Sequence, residues 1–409
     1  MGNLNNTPAI RFPEFNDEWE HKRLSELLSE SKKRNGDLKY DKDEVLSVSG
    51  EMGIVNQIEH LGRSYAGVSV HQYHVVEVGD IVYTKSPLKA NPFGIIKLNK
   101  GKAGIVSTLY AVYNVKEKNA YGPFLDYYFS LDANTNRYLR PLVKKGAKND
   151  MKINNAYVLH DCIFTPTIHE QTRIASFFTV LDKKIAELKQ KKTLLEQYKK
   201  GVMQKLFSQE LRFKDENGKE FPKWEKKKLG KIGECFIGLT YSPNDVVEKG
   251  GTLVLRSSNI QSRTLAFEDN VFVDANITEK KFVKENDILI CARNGSRSLI
   301  GKCALIKKEH EKFAFGAFMS VYRSEFNPFI YQLFQTDLYL KQINEHLGAT
   351  INQVTTKSLN SFSFNFPNRF EQTKIANFLS ALDEKINRTE NQIQQTGQYK
   401  KGLLQNMFC

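Results

Sequence analysis

Two short stretches combine guanidinium, ammonium and carboxamide groups in a way suited to polyanions and base edges. Lys85-Ser86-Pro87-Leu88-Lys89-Ala90-Asn91 follows an apolar run that ends at Tyr83, and Arg293-Asn294-Gly295-Ser296-Arg297-Ser298 follows one that ends at Ile290. An Arg fork can pair with guanine and a carboxamide with adenine, whereas Lys and Arg on phosphates only fix position. Arg293 and Arg297, with Asn294 or Asn91, are therefore candidate base readers, and Lys85 and Lys89 accompany them. Arg137, Arg140, Lys144, Lys145 and Lys148 form a second basic group, read as phosphate-binding. Arg256, Ser258 and Asn259 could reach a groove or could hold a turn, and Arg63 lies in a weaker polar loop with Ser64 and Tyr65. The bland reading of all these segments is a set of solvated loops.

The bulk of the chain agrees with a polyanionic partner. Its 409 residues carry a formal net charge of +14 with a pI near 9.3, which favours nucleic acid first and a membrane surface second. An apolar fraction of 40% is enough for sizeable cores, and the length suggests two or three domains. No apolar run approaches a membrane span, and Met1 to Phe15 lacks the apolar core of a signal peptide. Cys162, Cys235, Cys291, Cys303 and Cys409 are scattered without a C-x-x-C pair, as in reduced cysteines of a cytoplasmic protein. His60, His71 and His74 have no acidic or thiol companions at metal spacing and read as surface or strand-edge residues. Gly94 to Gly104 lacks the Lys-Ser/Thr of a phosphate-binding loop. No catalytic residue, resident cofactor or metal site is expected, which excludes a motor ATPase or a nuclease.

Both basic loops belong to a duplicated unit. Glu170-Gln171-Thr172-Arg173-Ile174-Ala175 returns as Glu371-Gln372-Thr373-Lys374-Ile375-Ala376, and Gln197-Tyr198-Lys199-Lys200-Gly201 as Gln398-Tyr399-Lys400-Lys401-Gly402. The openings around Phe12-Pro13 and Trp19-Glu20 are paired with Phe221-Pro222 and Trp224-Glu225. Val75 to Tyr83 and Phe282 to Ile290 share an apolar, charged, turn, Asp, apolar order and are read as equivalent strand-turn-strand pieces.

Each unit ends in a long helical pattern. Ile174, Phe178, Leu181, Ile185, Leu188, Lys192, Leu195, Lys199, Val202 and Leu206 recur at steps of four and three. Ile375, Leu379, Leu382, Ile386, Thr389, Ile393, Thr396, Lys400, Leu403 and Met407 do the same. These heptad seams are broken only by Lys and Thr, and the economical solution is that the two helices bury each other. Thr167 is expected to cap the first helix, with Glu170 as its reciprocal partner. Pro166 and Pro367 stop the preceding strands. The first helix carries Lys183-Lys184, Lys191-Lys192 and Lys199-Lys200 doublets, a surplus that suits either a phosphate backbone or plain solubility. Phe177, Phe178, Phe378 and Tyr198 read as seam or docking residues.

Two variable stretches, each followed by a P-x-x-x-E-Q-x-x-I-A-x-F-(F/L)-x-x-L-D helix within the matching segments Pro166 to Ile185 and Pro367 to Ile386, resemble the specificity subunit of a type I restriction-modification system. The Trp-Glu-x-x-x-Leu openings at Trp19 and Trp224, and Arg256-Ser257-Ser258-Asn259-Ile260, match as well. The first domain departs by offering Leu46-Ser47-Val48-Ser49-Gly50 where that last motif is sought. The resemblance implies an α+β architecture with two mixed α/β target recognition domains, 1–165 and 211–366. Spacer helices at 166–210 and 367–409 would form an antiparallel intramolecular coiled coil with pseudo-two-fold repetition.

The implied function is non-catalytic. Each domain would read half of a bipartite site in double-stranded DNA while the subunit docks two adenine-modification subunits. Restriction subunits would join the full complex, and S-adenosylmethionine, ATP and Mg would belong to partners. Glu170, Gln171, Ile174, Phe178, Leu181, Ile185 and Tyr198, with Glu371, Gln372, Ile375, Leu379, Leu382, Ile386 and Tyr399, are the expected spacer or docking residues. A methylation-only complex and a two-headed protein scaffold without DNA binding are the rival readings.

Overall fold

The computed structural model describes residues 7–67, 69–145, 151–347 and 352–408. The chain forms two compact units, Met1–Lys189 with Asn391–Cys409, and Gln190–Glu390. Each unit therefore takes one recognition region together with half of each long helix, so the four consecutive segments drawn from the sequence do not coincide with the compact units.

In the first unit β1 (Glu20–Arg23) pairs antiparallel with β6 (Cys162–Thr165), bringing the start and end of the variable region side by side. Between them β2 (Leu28–Glu30), β3 (Ile81–Thr84), β4 (Ile95–Leu98) and β5 (Tyr110–Val115) make one sheet in the order β2-β5-β3-β4. Helices α1 (Gly122–Ser130) and α2 (Asp132–Leu139) follow. Every residue of β3 is buried, as expected of an inner strand covered on both faces. The chain then enters α3 (Ile168–Phe207).

The second unit repeats this plan. β7 (Glu225–Lys228) pairs with the later β12 (Ser363–Phe366), and β8 (Glu234–Ile237), β9 (Ile288–Cys291), β10 (Cys303–Leu305) and β11 (Met319–Arg323) form a sheet in the order β8-β11-β9-β10. α4 (Asn327–Leu333) and α5 (Asp337–His346) precede β12 (Ser363–Phe366), and α6 (Arg369–Asn406) closes the chain. Ile81 lies opposite Tyr113 and Ile288 opposite Tyr322, so β3 and β9 are equivalent by register as well as by sequence. Their preceding Asp residues do the same turn-holding work: Asp80 accepts from the Glu77 N–H and Asp287 from the Lys284 N–H, both at 2.7 Å. The partners on the neighbouring strand differ. Asp287 holds Arg323 through two contacts of 2.8 and 2.6 Å, whereas Asp80 has only the Asn114 amide, and burial raises the pKa of its carboxyl.

The heptad seams match the burial pattern. All ten positions of each series are buried or half-buried. Within the first unit the start of α3 packs Ile174 and Phe178 with Leu404 of α6 and with Met407 and Phe408 just past its end. Within the second, Met203, Leu206 and Phe207 of α3 meet Ile375, Leu379 and Leu382 of α6. Lys192 binds Glu390 at 2.7 Å and Lys199 binds Asp383 at 2.5 Å, so the helices run antiparallel there. Gly201 and Gly402 lie inside helices that continue past them. Tyr198 and Tyr399 are the exceptions to the seam reading. They face outward at 54% and 58% exposure, flanking the buried stripe.

Candidate nucleic-acid interface and helix joints

The glutamate of each Glu-Gln motif is a buried anchor. Glu170 is 1% exposed and accepts both Arg11 Nε and Nη2 at 2.7 Å, with the Trp19 indole N–H at 3.4 Å. Glu371 is fully buried and accepts Arg212 at 3.1 and 2.7 Å and Trp224 at 3.1 Å. The reciprocal cap expected between Thr167 and Glu170 is thereby replaced. Thr167 Oγ1 receives the Glu170 N–H at a marginal 3.5 Å, while the carboxylate turns to the cation, where a bidentate bond is worth more. In α6 the capping oxygen comes from Asn368, at 2.9 Å from the Glu371 nitrogen.

Gln171 and Gln372 fold back onto the Pro166 and Pro367 carbonyls at 3.0 and 2.8 Å, and Gln171 also accepts the Tyr121 N–H. Buried side chains of this kind fix each helix start. Arg11 and Arg212 were missed in the sequence. The signal was their spacing of 201, shared with Phe12 and Phe213. These two phenylalanines stack edge-on against Phe177 and Phe378. Phe213, and not Phe221, is thus the packing counterpart of Phe12. Phe221 takes only its second role, beneath the Lys374 ammonium as Phe12 lies beneath Arg173.

A second joint ties domain to helix to helix. In the first unit Asp182 accepts the Tyr127 hydroxyl at 2.7 Å and the Lys400 ammonium. In the second, Asp383 accepts the Gln332 amide at 3.0 Å and Lys199 at 2.5 Å, and Lys199 also reaches Gln335 at 2.7 Å. Burial lowers the Lys199 pKa, and Asp383 opposes that shift. The lysines that break the heptads are therefore paired polar positions, which is how a buried ammonium is tolerated. A cleft of about 1140 Å³ opens beside Lys199 and Asp383, lined also by Tyr331, Phe267 and His310.

The DNA-facing candidates divide into exposed cations and buried turn-holders. Arg293 and Arg297 are exposed, with Arg293 over the Phe318 ring at 5.1 Å. Asn294 instead braces the loop, donating to Ser257 Oγ at 3.0 Å and accepting the Ser296 N–H. In the first unit Lys89 is exposed and Lys85 half-buried, with its pKa lowered by burial. Asn91 is 7% exposed and committed to Asp132 at 2.7 Å, which removes it as a base reader. Asn259 is likewise lost: it is fully buried, donates to the Ala266 and Asp269 carbonyls and to Asn270, and accepts the Arg256 N–H. Arg256 pairs with Asp269 at 2.8 Å, and the Ser258 hydroxyl oxygen is buried, so this motif holds a turn.

Arg63 is exposed and lies over Tyr65 at 4.5 Å. Arg137 donates to the Tyr128 hydroxyl and Asn134, Arg140 is exposed at the end of α2, and Lys144 is exposed in a two-residue ribbon paired to 151–152. Lys145 shares that ribbon through its backbone, and Lys148 lies outside the described residues. His74, read as a surface or strand-edge residue, is buried at 2% exposure in a strand. Its pKa is pushed down to about 4 by burial and then by Arg34 and Lys85.

Among the described residues no helix is long and apolar enough to cross a membrane, and Cys162, Cys235, Cys291 and Cys303 are free.

Residues 222–396, which hold the second basic loop, the buried Trp224–Glu371–Arg212 anchor's Trp and Glu, and Asp383, match the family described as the type I restriction modification DNA specificity domain. That match places a type I DNA specificity domain in the second half of the chain. It is similar to the EcoKI specificity subunit of Escherichia coli (strain K12), 32% identical over 178 residues, or 41% of this chain and 38% of that one. It is also similar to the StySPI specificity subunit of Salmonella potsdam, 27% identical over 46% of this chain and 42% of that one. The chain thus spans about two fifths of the length of these curated relatives. The fold is that of a solved S subunit of a type I restriction-modification system from M. genitalium, with TM-score 0.61, 17% identity and coverage of 98% and 99% of the two chains.

Proposed function

We propose that the chain is a type I specificity subunit that reads a bipartite site in double-stranded DNA, one half-site per recognition domain. It would carry no catalytic group of its own and would position two adenine-modification subunits on the DNA, with restriction subunits added in the full assembly. The observation that carries the reading is the repetition: two sheets of identical strand order, each with an exposed basic loop after the same buried strand. Two equivalent readers in one chain suit two half-sites on one duplex. The net charge of +14 supports a salt-sensitive phosphate component. Methylome sequencing of a host with and without the chain, in the presence of its modification partner, tests the reading; the expected result is a split adenine motif that depends on the chain, and absence of such a motif overturns it.

In this proposal α3 and α6 set the gap between half-sites. Removing one heptad shortens a helix by about 10 Å, or about three base pairs at 3.4 Å each. The pairing of the helices damps this to about one or two base pairs. Both half-site sequences should survive such a deletion with an altered gap, and an active deletion variant with the old gap rejects the spacer role.

A further inference from the structure

Each sheet has an exposed apolar side chain at one repeated place. β5 is entered through a turn in which the Tyr110 N–H bonds the Ser107 carbonyl at 3.0 Å, and β11 through one in which Met319 bonds Gly316 at 2.8 Å. The third residue of the turn is Leu109 in one unit and Phe318 in the other. They are 61% and 59% exposed. Both carbonyls are held by the neighbouring basic loop: Lys85 N–H donates to Leu109 at 3.3 Å, and the Ala292 and Arg293 N–H groups donate to Phe318 at 3.0 Å each. The sequences Leu109-Tyr110-Ala111-Val112-Tyr113 and Phe318-Met319-Ser320-Val321-Tyr322 align at a spacing of 209.

Single exposed apolar residues are ordinary on protein surfaces. Here the same turn position is apolar and outward in both units although the surrounding loops have diverged, and each turn is braced against the cations that face the proposed DNA. Arg293 lies over the Phe318 ring, which puts a hydrogen-bonding fork and an apolar face side by side. The 5-methyl of thymine is the one apolar group displayed on a base edge in the major groove.

We propose that Leu109 and Phe318 are base-contacting residues, each packing on the methyl group of a thymine in the half-site read by its own domain. The inference rests on the DNA-reading function proposed above. The alternative use of such a side chain, as a wedge between base pairs, requires unstacking at a cost of a few kcal/mol per step.

The test uses the full chain with its modification subunits. Binding is measured on duplexes in which each thymine of the methylome-defined motif is replaced in turn by deoxyuridine. The expected result is a loss of about fourfold at one thymine in each half-site, the equivalent of one methyl group left unburied. In Phe318→Ala the penalty disappears from one half-site and stays in the other, and Leu109→Ala shows the converse. Both side chains are exposed, so melting temperatures should hold, which separates lost contact from lost folding. A penalty unchanged by the substitutions, or no deoxyuridine effect at any thymine, overturns the inference. So does brightening of 2-aminopurine in the site that Phe318→Ala abolishes without any deoxyuridine penalty, which would establish a wedge. A chain with no split motif at all defeats the DNA-reading function itself, whereas a motif indifferent to these residues defeats only this inference.

Discussion

Replacing Arg212 by Met strands the Glu371 carboxylate. That carboxylate is completely buried, the Arg212 side chain is 22% exposed, and two contacts of 3.1 and 2.7 Å join them. Breaking one partner of a buried pair costs about 3–5 kcal/mol. The residual exposure of Arg212 and the remaining Trp224 N–H bond place this case at the lower end, near 3 kcal/mol. The chain has two tryptophans, one at each anchor, so a Trp19→Phe background leaves Trp224 as the sole indole reporter of the second unit. Its fluorescence in urea should show the midpoint for Arg212→Met falling by about 1 M or more, given a slope of about 1–3 kcal/mol per M. Adding Glu371→Leu removes the stranded charge, and the double variant should recover part of the loss. Costs that simply add, or an Arg212→Met effect within about 0.5 kcal/mol, would refute the anchor as the element that fixes the start of α6.

Three further outcomes follow from the same geometry. Arg293→Ala or Arg297→Ala should relax one half-site by about 1–3 kcal/mol of discrimination, whereas Lys144→Ala should weaken all sequences and lower the salt slope by about one; affinities on sites altered one half at a time separate the two. Asn259→Ala should cost about 2 kcal/mol of stability, because buried donors and acceptors lose their partner, while leaving the salt slope unchanged in binding titrations. His74 is neutral when folded, with its pKa depressed to about 4 from 6.5. Between those values the unfolded chain binds the extra proton, so this contribution is present above pH 6.5 and fades as pH falls toward 4. It amounts to at most about 3 kcal/mol, and His74→Phe should flatten the pH dependence of melting over that window.

The long-range plan was legible in the chain because it is written as periodicity. The heptads from Ile174 and Ile375 could only be buried stripes, and the Val75 and Phe282 segments kept enough pattern to reveal equivalent strands. Individual polar residues were less readable. Asn91 and Asn259 stand in turn-rich sequence, where a carboxamide that braces a loop has the same neighbours as one that reads a base; only burial separates them. Tyr198 and Tyr399 sit inside the repeated Gln-Tyr-Lys-Lys-Gly motif yet fall off the seam by one step, and that step turns them outward. Arg11 and Arg212 were hidden because their partner carboxylate is 159 residues away in both units. Leu109 and Phe318 directly precede apolar strand residues, so pattern alone does not set them apart from the strands they lead into.

The helix ends carry a consequence for synthesis. Phe408 stacks among Trp19, Phe124, Tyr128 and Phe178 in the first unit, as Phe207 does with Trp224 and Phe329 in the second. The second unit is one continuous stretch, Gln190–Glu390, but the first needs Asn391–Cys409 to finish its core. At about 5–20 residues per second, the nascent first unit waits about 10–40 s with its aromatic pocket open. Of the two units, the one that leaves the ribosome first is thus the last to be sealed, and its vulnerable interval is set by the time taken to translate the other.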